Sequence, residues 1–411
     1  MSQDYEMDQA AAARVADYFN VTLGKHLRRS DQRASFATYA FGLLGDGERK
    51  SVEPIAARAC GDEETCERLH DRLLYFVREG AWSDREVRRE ATRYAIAAMS
   101  AREPVTCWII DDTGMLKQGK HSPGVQRQYT GSAGKITNCQ IAVSLSVSTA
   151  GEQVPIDMEL YLPESWTSDK ARRAQAHIPE WVTFKSKIEL AMDLITRAVD
   201  DGVPGEVVLA DSFYGQSHIF RDFVRGKGLD YAVAVGADTR VWLLNEDGRN
   251  PEAIGVSHLG AQLGQDAFRQ ITWRDGTRPN RKLSSRFVFR RVKPAYDDGR
   301  EPMLREPVWL VIEWPEGEKA PTKFFLTNLR DRMSKKQIVR TLKERWKTER
   351  VYEELKGELG FDHYEGRSFI GWHHHVSVVF SCYAFVVAER VRAFPPSGGR
   401  TRRDHPIALA A

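Results

Sequence analysis

The sequence predicts an α/β protein: a mixed sheet with helices packed on it, preceded by an all-helical region and interrupted by a β-rich stretch. Three observations carry this. Apolar residues recur at helical spacing through the first hundred positions. Two nearly continuous apolar runs, Val105-Thr-Cys-Trp-Ile-Ile-Asp-Asp-Thr-Gly114 and Glu206-Val-Val-Leu-Ala-Asp-Ser-Phe-Tyr-Gly215, then read as buried strands that run into acids. Further β segments crowd the stretch before a long charged helix.

In order, helices are expected from Asp8 to Gly24, Asp31 to Leu44, Glu64 to Gly80 and Ser83 to Met99, the last opened by the capping box Ser83-Asp-Arg-Glu86. This region, residues 1–100, reads either as a helical support or as a DNA-end module, the latter suggested by Lys25, Arg28, Arg29 and Arg33. Residues 101–236 form the first part of the core. Here a strand ends at Asp111, a long polar loop follows, and strands run from Ile136 to Thr149 and Gln153 to Leu162. An amphipathic helix spans Phe184 to Val199, a strand Glu206 to Asp211, a helix Gln216 to Arg225 and a strand Asp230 to Gly236. Residues 237–321 turn to β segments and read as an inserted all-β subdomain. Residues 322–392 return to the core with a strand at Lys323 to Asn328, one long helix from Ser334 to Leu359, and an apolar helix from Trp372 to Val391. The remainder, 393–411, is rich in Pro, Gly and Arg and reads as a basic flexible tail.

Composition narrows the class. With 411 residues and 42% hydrophobic content there is material for a large core plus appended modules. Sixty basic against 57 acidic residues leave a net charge of +3, so any affinity for nucleic acid must come from local clusters. The five cysteines form no framework and read as reduced thiols. No signal peptide and no membrane-length apolar stretch is recognisable, which makes the cytoplasm the expected location.

The chemistry rests on carboxylates. An acid at the end of a buried strand is costly unless a cation sits beside it. Mg²⁺ fits, because it takes one or two carboxylates and leaves room for phosphate oxygens. Two such ions can clamp the attacking and leaving oxygens of a phosphodiester. The candidates are Asp111 or Asp112 in the first strand, which periodicity does not separate, Asp211 in the second, and Glu349 in the charged helix. Steps of three and four put Leu342, Arg345, Glu349, Tyr352 and Lys356 on one helical face. Between Thr113 and Ala150 there is no acid, while Lys117, Lys120, Arg127 and Lys135 lie among glycines, a composition suited to tracking a phosphate backbone. Gly131-Ser-Ala-Gly-Lys135 is no P-loop, since Tyr129 stands where the first Gly belongs and Ile136 replaces the hydroxyl. His373, His374 and His375 point about 100° apart on a helix and cannot converge on one ion.

Together these segments resemble the DDE transposases of bacterial insertion sequences, in the branch whose last acid lies in a Tyr-x2-Arg-x3-Glu-x6-Lys motif. Here that motif reads Leu342, Arg345, Glu349, Lys356, with the spacing kept and Leu in place of Tyr. Asp111-Asp-Thr-Gly-Met-Leu-Lys-Gln-Gly-Lys120, Gly124-Val-Gln-Arg-Gln-Tyr-Thr-Gly131, Gly134-Lys-Ile-Thr-Asn-Cys-Gln140 and Gly360-Phe-Asp-His-Tyr-Glu-Gly-Arg367 look like one subgroup of that branch. The resemblance runs from about Val105 to Val391.

It implies a ribonuclease H-like fold with a β insertion before the Glu helix. The implied catalytic and metal-binding set is Asp111, Asp211 and Glu349, with Asp112 the fallback, holding two Mg²⁺ ions for which Mn²⁺ can substitute. Arg345 and Lys356 are implied to position phosphates, with Tyr352 or Tyr364 as replacement hydroxyls for the absent Tyr. Phe324, in the strand before the Glu helix, falls where the family stacks a flipped base. The implied activity is cut-and-paste transposition by a homodimer on double-stranded DNA, acting on terminal inverted repeats and a target. A metal-dependent nuclease without strand transfer and an inactive DNA-binding relic are the alternatives.

Overall fold

The computed structural model describes residues 9–244, 252–275, 282–295, 305–329 and 333–393. The tail expected over 393–411 lies, apart from Ala393, outside them. The chain divides into two compact units, one taking in the chain up to Val105, Asp112–Arg197 and the chain from Lys347, the other Thr106–Asp111 and Ala198–Trp346.

In the first unit, helices Gln9–Asp17, Ser30–Leu44, Val52–Ala59, Glu63–Arg78 and Asp84–Ser100 form the N-terminal region. Side-chain caps start two of them: Asp62 accepts from the Thr65 amide, and Ser83 from the Glu86 amide. The helix Val52–Ala59 lies outside the expected helical segments. Cys60 and Cys66, expected as free thiols, form a disulfide whose Cα atoms lie 5.4 Å apart; Cys107, Cys139 and Cys382 are free and buried. The 25-residue helix Phe369–Ala393 is buried almost all round, as its all-round apolar composition requires, and packs on Asp84–Ser100.

Strand β1 (Cys107–Leu116) belongs to both units and does not stop at the aspartates, because buried Thr113, Gly114 and Met115 continue it. β2 (Gln126–Thr130), hidden in the expected polar loop, pairs antiparallel with β3 (Lys135–Ser148), and β3 with β4 (Gln153–Leu160).

In the second unit β5 (Val207–Ala210) and β6 (Asp230–Val235) lie parallel beside the start of β1. Parallel neighbours need crossovers, and helix His218–Gly226 supplies the one between β5 and β6. The β-rich stretch contributes β7 (Arg240–Leu243), β8 (Ile254–Gly255), β9 (Arg269–Asp275), β10 (Lys282–Ala295) and β11 (Val308–Trp314), followed by β12 (Lys323–Thr327). These strands are woven into the same sheet, in the order β6-β12-β11-β10-β7-β8 with β9 on β10, and the stretch also carries helix Val256–Gln262. Cys107, Ile109, Val207, Leu209, Phe287, Val311, Ile338, Val339 and Leu342 make its core. The result is the expected mixed, ribonuclease H-like sheet with flanking helices and a helical N-terminal region.

The long helix expected from Ser334 to Leu359 is broken. Helix Lys335–Lys343, capped by a Ser334/Gln337 box, ends in a 3₁₀ turn Glu344–Trp346, and a new helix Lys347–Gly357 follows. A tighter turn inside a helical run re-aims the side chains it carries.

Candidate active site

β1 and β5 pair in register up to Ile110 with Ala210, so Asp111 and Asp211 are the next residues on neighbouring parallel strands. Such strands lie about 4.8 Å apart, which brings the two acids side by side. Asp211 caps helix Ser212–Gly215, its Oδ1 accepting from the amides of Phe213 and Tyr214. Asp111 is 15% exposed and accepts a hydrogen bond of 2.6 Å from Arg345 Nη1. That charge-assisted contact offsets the burial of the acid, and it comes from the 3₁₀ turn that breaks the helix.

Two hard carboxylates that follow paired residues of adjacent parallel strands are a donor set suited to a divalent cation such as Mg²⁺. Among the described residues no three His, Cys, Asp or Glu side chains are grouped as a ready metal set; at Asp111 the balancing charge is Arg345.

Asp112 faces a different cation: Lys187, at the start of helix Lys187–Asp200, donates to its Oδ2 at 2.7 Å. Nothing local in the sequence signals this pair, whose members are far apart in the chain. Glu349 belongs to the first unit, exposed in the first turn of Lys347–Gly357. Lys356, on the same helix, donates to the Gly114 carbonyl at 2.9 Å and to Ser132 Oγ at 3.2 Å. Burial pushes its ammonium below the ordinary lysine value. The Gly131–Gly134 segment that superficially resembles a P-loop is thus the turn of the β2–β3 hairpin, held by Lys356.

The remaining expected DNA contacts divide. Lys120, Arg127 and Lys135 are exposed and make no ion pair among the described residues, and Tyr129, 63% exposed, shares the exposed face of β2 with Arg127. Lys117 does not fit the expectation: its Nζ donates to the carbonyls of Asp362 and Tyr364, so it ties the chain together. Phe324 must also be corrected. It is 3% exposed and lies between Ile312 of β11 and Val235 of β6, so it is a core side chain and presents no face to a base. Leu342, where the motif has Tyr, is likewise core. The two substitute hydroxyls are engaged, Tyr352 with Ser144 Oγ and Tyr364 with the Ser368 carbonyl.

The three consecutive histidines serve three places, as their divergence on a helix requires. His373 meets Glu159, His374 stacks on Trp82, and His375 meets Tyr39. A cavity of about 1180 Å³ opens in the first unit beside His373 and His374. Its charged walls pair with one another, Asp84 with Arg88, Glu159 with Arg197 and Asp193 with Lys185. Of the expected site residues, Asp111, Asp211, Glu349, Arg345 and Lys356 do not line it, whereas Lys25 and Arg28 of the helical region do.

Residues 22–280 match the family model described as DDE superfamily endonuclease, and residues 185–385 match the transposase DDE domain. The chain is 29% identical over 204 residues to a protein of Microchaete diplosiphon named "Probable transposase for insertion sequence element IS701". That match takes in 49% of this chain and 49% of the relative, so the chain spans about half of the relative's length.

Proposed function

The chain belongs to the DDE superfamily of endonucleases, and from that premise we propose that it is a cut-and-paste transposase of an insertion sequence. Its substrates would be the terminal inverted repeats of the element and a double-stranded target, in the bacterial cytoplasm. The observation that carries the reading is the pair Asp111 and Asp211 at matched positions on adjacent parallel strands, with Arg345 on Asp111. Glu349, four residues after Arg345 in the family spacing, is the third carboxylate of the proposal.

Two Mg²⁺ ions, replaceable by Mn²⁺, would supply activation of the attacking hydroxyl and neutralisation of charge developing on the phosphate. The chain's own residues do the rest. Asp111, Asp211 and Glu349 provide the hard oxygen ligands. Arg345 has five N–H donors, so it can hold Asp111 and still meet a phosphate oxygen. Lys356 donates to the Gly114 carbonyl and Ser132 Oγ, which leaves the third N–H of its ammonium for the same purpose. Lys120, Arg127 and Lys135 on the β2–β3 hairpin and the segment before it would carry the flanking backbone, with Tyr129 between them. In the helical region, Lys25 is paired with Glu90, Arg29 with Asp31, and Arg33 donates to the Leu27 carbonyl. Arg28 is left to contact the element end. Two ends must be joined at once, which calls for a homodimer on DNA.

The test incubates a labelled element end with the protein, Mg²⁺ and a supercoiled target. Cleavage followed by joined products is the expected result. Cleavage without joining would make the protein a nuclease, and binding without cleavage a relic.

A further inference from the structure

Lys343 ends the helix that precedes the Arg345 turn, and its surroundings are unusual for a lysine. Its Nζ contacts Glu313 Oε2 at 2.5 Å, and Glu313 is only 3% exposed. Three aromatic rings surround the same ammonium: Trp273 at 5.1 Å, Phe287 at 5.7 Å and Phe325 at 5.9 Å. These groups come from four strands of one sheet. Phe287 of β10 is the direct register partner of Glu313 of β11, while Phe325 lies two residues beyond Lys323, the partner of Glu313 on β12. The pairing of β9 with β10 shifts between Leu283 and Ser284 of β10, so Trp273 of β9 is the unpaired residue of a bulge. A bulge turns a side chain away from strict alternation, here toward the cage.

The helix does not need this pair in order to dock. Ile338, Val339 and Leu342 already seat it on the sheet beside Phe287, with Ile271, Trp273 and Phe325 at the edge. A buried ion pair is a poor source of net stability, because desolvation cancels much of the attraction, and an apolar pair of similar shape often does as well. What a directional contact adds is registry. Apolar packing tolerates rotation or sliding of the helix, whereas one ammonium facing one carboxylate inside three rings does not. The residue two positions on is Arg345, which must reach Asp111.

We propose that the caged Lys343–Glu313 pair is a positioning device that sets the Glu344–Trp346 turn so that Arg345 meets Asp111. Its catalytic consequence rests on the transposase reading above; its structural consequence does not. Lys343 and Glu313 touch no reacting group and are positioning residues.

The experiment compares wild type with Lys343→Met, which keeps the stem and removes the charge, and Glu313→Gln, which keeps the shape. Amide hydrogen exchange over residues 344–346 is read beside exchange over β10. The expected result is exchange faster by about ten- to a hundred-fold in the turn, the equilibrium equivalent of one charge-assisted hydrogen bond, with β10 unchanged. Cleavage of an element end should lose kcat with KM nearly constant, and Lys343→Arg should restore both readouts. If Lys343→Met fails to fold, Glu313→Gln decides alone. Unchanged turn exchange, or loss spread equally over β10, overturns the proposal and leaves the pair as ordinary packing. A wild type that cleaves nothing while the exchange result holds would sink the transposase reading and leave the positioning device standing.

Discussion

Asp111 and Asp112 are adjacent in the chain and meet different cations, Arg345 and Lys187. This separates two residues that strand periodicity could not. Asp111→Asn or Asp211→Asn should lower cleavage by about 10²–10³ or more, the cost of removing one electrostatic stabiliser from a reaction centre. Asp112→Asn breaks the partly buried ion pair with Lys187, a contact of about 1 kcal/mol, and should cost less than about ten-fold. Single-turnover nicking of a labelled end measures all three. If the larger loss falls on Asp112, the first ligand has been misassigned. On the Lys347–Gly357 helix, Glu349→Gln should still bind element ends while losing cleavage to a similar degree, because phosphate contacts supply affinity and the carboxylate supplies rate. Glu353→Gln, one turn along, is exposed and should be nearly silent. Equal damage from the two would reduce this helix to a structural role.

At the scale of elements, the β2–β3 hairpin and the segment before it hold cations in two settings, Lys120, Arg127 and Lys135 exposed and Lys117 bonded to carbonyls. Replacing Lys120, Arg127 and Lys135 with alanine should lower the slope of log affinity against log salt by roughly 0.9 per lost phosphate contact on duplex DNA. Filter binding across a salt series reads this, and an unchanged slope would move the DNA to another surface. Lys117→Ala should behave differently. It strips the donor from the carbonyls of Asp362 and Tyr364, so about 1–3 kcal/mol of stability should go, seen in denaturant midpoint, with the salt slope unaltered.

Across the whole molecule, acid sensitivity should centre on the charged walls of the first unit. Burial would raise the Glu159 carboxyl, but the hydrogen bond and charge of His373, with Arg197 and Arg88, hold it down at about 2. Asp84 is held well below its ordinary value in the same way, with Arg88 outweighing its burial. A carboxyl whose folded value is depressed stabilises the protein above its unfolded value, near 4.3 for Glu, and that stability is lost as pH falls toward the folded value. The melting temperature should therefore be flat above about pH 5 and fall steadily between about pH 4 and pH 2. Glu159→Gln should flatten that fall. An identical slope in the variant would place the acid-sensitive groups elsewhere.

Much of the fold and part of the site could be read from single residues in their local setting. Val-Val-Leu-Ala before Asp211 can hardly be anything but a buried strand, and its acid stands where such strands end. The spacing of Arg345, Glu349 and Lys356 is likewise a local property of the chain. β2 escaped notice because its five residues, Gln-Arg-Gln-Tyr-Thr, carry no apolar run and become a strand only by pairing with β3. The break at Glu344–Trp346 escaped because nothing in Lys-Glu-Arg-Trp-Lys disfavours a helix. The turn coincides with Arg345 meeting a carboxylate far away in the chain.

By itself, then, the sequence determined most of the strands and helices and the family pattern that the acids make, since periodicity and spacing are carried by neighbours in the chain. Only the tertiary structure decided which cation each acid meets, that Phe324 is core and Lys117 a tie, and that a caged lysine precedes the Arg345 turn. Those outcomes depend on burial and on charge partners from distant strands, and no window of sequence contains both members of such a pair.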